Sequence, residues 1–175
     1  GYGYKDSKYC IVSHSFYSGQ FNFSLTPDNY LVTEKKYLIT ENSQLSFMVC
    51  AQDPSYYKEH YGVAISLFDN ATAEDFVTIW EETIESDDTE LTVPQTPWTL
   101  RTVDLSKYAG EEIYIALRHF NCTEQYMIDI DDVALTSGKK STRDEKEVLG
   151  VMAYSEGELL TEELKQMASL MLANL

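Results

Sequence analysis

Residues 45–68, LSFMVCAQDPSYYKEHYGVAISLF, leave this chain few ways to fold. In the first arm Leu45, Phe47 and Val49 alternate with Ser46, Met48 and Cys50, the period of two of a half-buried strand. In the second arm Tyr61, Val63, Ile65 and Leu67 alternate with Gly62, Ala64, Ser66 and Phe68, so one face is large and apolar and the other mostly small. Asp53-Pro54 ends the first strand, because proline offers no N–H to a ladder. The two arms are therefore expected to form a hairpin with a long loop carrying Tyr56, Tyr57, Lys58, Glu59 and His60. Such a loop is a place for recognition.

The same alternation recurs along the chain. Cys10, Val12, His14 and Phe16 alternate with Ile11, Ser13, Ser15 and Tyr17, and Ser18-Gly19 marks a turn. Strands follow at 30–40, with Glu34-Lys35-Lys36 as a turn or an edge, at 98–105, at 113–120 and at 126–135. In the last of these, Tyr126, Ile128 and Ile130 are expected on one face, with Met127, Val133 and Leu135 on the other. ATAEDFVTIWEET has an acidic start and apolar spacing at Phe76, Ile79 and Trp80, which predicts a short helix. Many short strands and little helix argue an all-β sandwich. It spans residues 1–137. Residues 138–175 are read as a charged linker, GKKSTRDEKE, followed by an amphipathic helix in which Leu160, Leu164, Met167, Met171 and Leu175 share a stripe. That stripe covers the sandwich or docks a partner chain.

Composition narrows the partners. Twenty-nine acidic residues against thirteen Lys and Arg give a net charge of -16, which repels nucleic acid phosphates and anionic membranes. No run reaches the roughly 18 apolar residues of a membrane span, and there is no charged-then-apolar signal at the N-terminus. Thirteen tyrosines suit both sheet packing and contact surfaces. Cys10, Cys50 and Cys122 allow at most one internal disulfide and read as buried thiols.

For catalysis the chain offers no HExxH, no phosphate loop and no nucleophile beside a base in a known motif. Its three histidines, His14, His60 and His119, share no metal-ligand spacing and read as hydrogen-bonded structural residues. If the strands of Glu59-His60 and Arg118-His119 are neighbours, Glu59 is expected to pair with Arg118. Asp129, Asp131 and Asp132 crowd three carboxylates into four residues, which calls for solvation, hydrogen bonds or a hard cation. Asp132, with Asp131 second, is the candidate calcium ligand. Tyr56, Tyr57 and Lys58 are the candidate contact residues, against a competing possibility that the two rings fold back to cap the sandwich.

Seven stretches taken together, TPDNYLVT, LSFMVCAQD, EHYGVAIS, WEET, TVDLSKYAG, IALRHFNCT and IDIDDVAL, resemble in their order the cleaved adhesin domains. Those are repeated modules of the gingipain proteases and related haemagglutinins of Gram-negative bacteria. The resemblance covers roughly residues 10–136. It implies a jelly-roll β-sandwich, non-catalytic, secreted or displayed on the bacterial cell surface, that adheres to host protein or carbohydrate and carries calcium as a structural ion. It also leaves room for a structural or assembly role in a larger surface protein, with the tail helix docking a partner. The chain departs from the family in three ways. It lacks the Asp- and Gly-rich segment that precedes the first motif, it has His14 where such modules often carry glutamate, and its tail from Gly138 has no counterpart.

Overall fold

The computed structural model describes residues 3–5, 7–85, 95–137, 147–148 and 151–155. Its strands are β1 (Ile11–His14), β2 (Phe16–Tyr17), β3 (Phe23–Ser24), β4 (Asp28–Thr33), β5 (Tyr37–Leu38), β6 (Gln44–Ala51), β7 (His60–Ser66), β8 (Val77–Thr83), β9 (Thr99–Asp104), β10 (Glu112–Phe120), β11 (Met127–Thr136), β12 (Glu147–Val148) and β13 (Val151–Ser155). One sheet runs β1-β11-β6-β9, with β12 on β11. The second runs β13-β4-β10-β7-β8, with β5 on β10, and β2 and β3 form a separate hairpin. All pairings are antiparallel.

The two sheets pack face to face. Leu45, Phe47 and Val49 from β6 and Ile128 and Ile130 from β11 meet Tyr61, Val63 and Ile65 from β7 and Ile113, Ile115 and Leu117 from β10 in one apolar cluster. These are the large residues that alternation assigns to the inner faces, and their burial is the main stabilising term of the sandwich. On the outer face of the second sheet a smaller cluster of Tyr30, Val32, Ala64 and Ala116 is covered by Ala73 and Phe76. Among the described residues no helix is long and apolar enough to cross a membrane.

Four expectations change. The two arms of residues 45–68 are not a hairpin: β6 and β7 lie in different sheets and face each other across the core. The connection between them is too long and too interrupted by Pro54 to act as a tight turn. The short helix expected around Phe76 is a single 3-10 turn, Ala73–Asp75, followed by β8. Ile79 and Trp80 belong to a strand that pairs with β7, where β-branched and aromatic residues such as Val77, Thr78, Ile79 and Trp80 pack well, and Phe76 joins the outer-face cluster. In β11 Leu135 is in the core with Ile128 and Ile130, not on the opposite face. A register shift between Asp131 and Ala134, with Asp132 at φ +48°, inserts the extra residue of a bulge and returns the later side chains to the core. Finally, part of the charged stretch beyond 137 supplies β12 and β13, the latter paired along β4 from Thr33 to Asn29. The amphipathic helix expected at 160–175 lies outside the described residues.

Candidate functional site

Strand alternation delivers a polar layer to one end of the otherwise apolar core. Glu59 precedes Tyr61, Val63 and Ile65 on the inward side, and His119 follows Ile113, Ile115 and Leu117 on theirs. Ser13 and Ser15 continue the inward side from Ile11. Glu59 and Ser15 are fully buried and His119 nearly so. A buried carboxylate persists only when its oxygens are satisfied, and here all its capacity is used. Oε1 accepts from the Ser15 hydroxyl at 2.8 Å and from the Tyr126 backbone N–H at 2.9 Å. Oε2 lies 2.9 Å from His119 Nε2 and accepts from Cys122 Sγ at 3.3 Å. His119 Nδ1 is held by Ser13 Oγ at 2.7 Å, which in turn accepts from the Asn29 amide at 2.9 Å.

Glu59 therefore pairs with His119 and not with Arg118. Strands β7 and β10 are neighbours as expected, but adjacent residues of a strand point to opposite faces. Arg118 goes outward, where its guanidinium makes two bonds to Asp28, at 2.7 and 2.9 Å, and lies 4.1 Å from the Phe120 ring. Its bonds to Asp28, against the cost of burial and with Tyr30 and Glu81 nearby, hold the Arg118 guanidinium above its ordinary value.

Cys122 is carried to the cluster by a tight loop in which Asn121 and Glu124 take positive φ, 51° and 57°, conformations that asparagine tolerates better than glutamate. Its Sγ lies 3.1 Å from His119 Nε2. Burial pushes the thiol up to about 12, against a lowering contact with the His60 carbonyl. That places it far from the depressed range of a nucleophilic cysteine. The carboxylate sits on the same imidazole nitrogen as the thiol, whereas a catalytic triad needs it on the opposite one. The cluster is not arranged for acyl transfer. No disulfide joins Cys10, Cys50 and Cys122.

Above the cluster lies an open depression of about 570 Å³, lined by Lys58, His60, Thr83, Cys122 and Gln125 among others. Its walls come mainly from the 53–59 loop, the 121–126 loop and Thr26-Pro27 ahead of β4, with the β2-β3 hairpin tied to the second of these. The 53–59 loop is braced by Asp53 Oδ1, which accepts from the N–H groups of Ser55 and Tyr56, and by the Lys58 N–H bonded to Gln125 Oε1. The β2-β3 hairpin is tied to the 121–126 loop through Ser24 to Glu124 and Ser18 to Tyr126. Tyr56 is 55% exposed, whereas Tyr57 packs on the core and Lys58 is exposed beside the depression. The hairpin adds rings beyond the expected contact residues: Phe21, 75% exposed, and Tyr17 and Phe23, stacked at 5.0 Å. The signal available was aromatic density around Ser18-Gly19, four aromatic residues between 16 and 23.

Asp131 and Asp132 sit at the β11 bulge. Asp131 is half-buried, and its oxygens accept the N–H groups of Tyr4 and Asp132, at 2.8 and 2.7 Å. Asp132 is exposed. The carboxylate with unshared oxygens is their neighbour Asp129, wholly buried on the same face as Asp131, with neither oxygen hydrogen-bonded. Burial raises its carboxyl to about 7. Orphaned carboxylate oxygens beneath an Asp131-Asp132 bend are what a bound cation would answer.

The Cleaved Adhesin Domain model matches residues 3–135. This chain belongs to the Cleaved Adhesin Domain family. It is 42% identical over 135 residues to Hemagglutinin A of Porphyromonas gingivalis, covering 73% of this chain and 5% of that protein. It is 38% identical over 140 residues to a Lys-gingipain of the same organism, covering 77% and 8%. The chain thus spans only a small fraction of these relatives' length. Its fold matches the crystal structure of the K1 cleaved adhesin domain of Lys-gingipain from P. gingivalis W83, with a TM-score of 0.64 and 39% identity, over 74% of this chain and 75% of that one. The K3 domain of the same protein gives 0.63 and 37%, over 74% of each chain.

Proposed function

We propose that this chain is a non-catalytic adhesion module of a secreted or surface-displayed bacterial protein, recognising a host protein or glycan through the end of the sandwich that carries Tyr56, Lys58, Phe21, Tyr17 and Phe23. The observation that carries this reading is an open depression walled by the 53–59 and 121–126 loops, which bond to each other, with exposed rings at Tyr56 on the first and on the β2-β3 hairpin tied to the second. Exposed aromatic side chains on a rigid scaffold bind sugars and proteins at low entropic cost. The neighbouring Lys58 suits an acidic or hydroxyl-rich partner. Relatives named as a haemagglutinin and gingipains point the same way.

The sandwich is read as a jelly roll. Leaving aside the two-residue pieces and β13, the sheet orders β1-β11-β6-β9 and β4-β10-β7-β8 alternate early and late strands as that fold does. Calcium is proposed as its structural ion at the Asp131-Asp132 bend, with Asp129 turned toward the same face.

The experiment is solid-phase binding of the purified domain to a panel of host matrix proteins and glycans. Tyr56→Ala is expected to weaken binding by more than about fivefold, the scale of an interface residue worth ~1 kcal/mol, with an unchanged melting temperature. Tyr57→Ala should lower the melting temperature, because that ring packs on the core. Binding unaffected by Tyr56→Ala, or absent across the panel, would turn the reading toward a structural or assembly domain.

A further inference from the structure

We propose that Glu59 Oε2, His119 Nε2 and Cys122 Sγ form a zinc-binding site at the floor of the depression. This stands on the cluster itself and not on the adhesion reading. Among the described residues these three His, Cys and Glu side chains bring one ligand atom each to within 4.8 Å of one another.

The geometry is close to what zinc requires. The three atoms form a triangle with sides of 2.9, 3.1 and 3.3 Å. Zinc bonds of about 2.0 to 2.3 Å in a tetrahedron give edges of roughly 3.3 to 3.6 Å between ligand atoms. The triangle has to open by only a few tenths of an ångström. Imidazole Nε2 and the thiol supply one hydrogen each, so hydrogen bonds fill at most two of the three edges. A central cation serves all three.

The surroundings already orient such ligands. Ser13 Oγ, which takes the Asn29 amide hydrogen, can accept a second hydrogen from His119 Nδ1, leaving the Nε2 lone pair for the metal. Ser15 and the Tyr126 N–H fix the other oxygen of Glu59. Outer partners of this kind set ligand orientation in zinc sites. Sulfur and nitrogen donors select zinc over calcium or magnesium. Glu59 and His119 are sealed by burial, and Cys122 lines the depression, so the fourth position of the tetrahedron opens to that side, where water or a ligand group enters. On binding, the Cys122 S–H bond breaks, the thiolate joins the ion and the proton leaves to solvent. No oxidation or reduction is involved.

The test uses the purified chain after metal removal. Cobalt(II), which takes zinc's position and reports sulfur ligation, should produce one near-ultraviolet thiolate charge-transfer band that saturates at one equivalent and is displaced by zinc. Cys122→Ser should abolish the band and weaken zinc binding at least tenfold. Ser13→Ala should weaken it about 10- to 100-fold, the usual effect of losing an outer partner, and Cys50→Ser should leave both unchanged. Should Cys122→Ser fail to fold, alkylation of the wild-type chain decides: zinc must protect Cys122 from a thiol reagent in the denaturant-free protein. Cobalt bound with no charge-transfer band, or Cys122 alkylated equally with and without zinc, would overturn the proposal.

Discussion

Replacing Glu59 with alanine is expected to cost about 3 to 5 kcal/mol of folding free energy, measured by urea unfolding at neutral pH with a metal chelator present. The side chain is fully buried and joins Ser15, Tyr126, His119 and Cys122. Its loss leaves a hydroxyl, a backbone N–H and an imidazole facing a void, and each stranded polar group adds its own desolvation cost of about 1 to 3 kcal/mol. Glu59→Gln keeps the volume and an oxygen for Ser15 and the Tyr126 N–H, so it should cost clearly less than the alanine. If Glu59→Ala lowered stability by less than about 1 kcal/mol, the polar layer would not be a structural hub.

Asp129→Asn is expected to stabilise the protein above neutral pH and do little at pH 4. Burial holds the Asp129 carboxyl at about 7 in the folded chain, against 3.8 for an ordinary aspartate. Between those two values the folded state keeps a proton that the unfolded state has released. Stability contributed by this residue is therefore complete below about pH 4 and falls as pH rises through about 7. At about 1.4 kcal/mol per pH unit the loss reaches up to about 4 kcal/mol. Asparagine carries no charge, so the difference between variant and wild type isolates this residue from every other titrating group. Unfolding curves from pH 4 to 8 in chelator should show that difference growing with pH, whereas calcium at pH 7 should raise the melting temperature of the wild type and reduce the gap. A difference independent of pH would mean that Asp129 stays ionised throughout, and no response to calcium would remove the ion from the β11 bulge.

Much of this fold is legible in period-two alternation. The arms of residues 45–68 present the residues that line the core, and the strands at 98–105, 113–120 and 126–135 lie within about a residue of where they are found. What alternation does not carry is which sheet a strand joins. The 45–68 stretch has the pattern of a hairpin, yet its arms are partners across the core, because the sheet neighbours β11 and β10 come from the distant C-terminal half. The bulge at Asp132 is hidden for a related reason: one extra residue in a left-handed conformation reverses every later face, and an aspartate is no strong signal for it.

At the candidate site the sequence carries the loop positions and not the cluster beneath them. Tyr56 and Lys58 are exposed on the Pro-broken loop, and Tyr57 packs on the core. The Glu59, His119 and Cys122 cluster was within reach, since extending the inward faces of β7 and β10 by one step gives Glu59 and His119. Missing was the loop geometry at Asn121 that folds Cys122 back onto them. Asp129 was visible as the residue between Ile128 and Ile130, but its burial on the outer face depends on what covers that face.

The most direct test of the contact face compares dissociation constants for one bound ligand across three single variants: Tyr56→Ala and Phe21→Ala at the depression end, and Phe68→Ala just past the far end of β7. Phe68 is 79% exposed, an exposed ring as large as those at the site. Weaker binding for Tyr56→Ala and Phe21→Ala, with Phe68→Ala equal to wild type and all three melting alike, is the result expected. Loss of binding in Phe68→Ala with the other two intact would place the contact face at the opposite end of the sandwich.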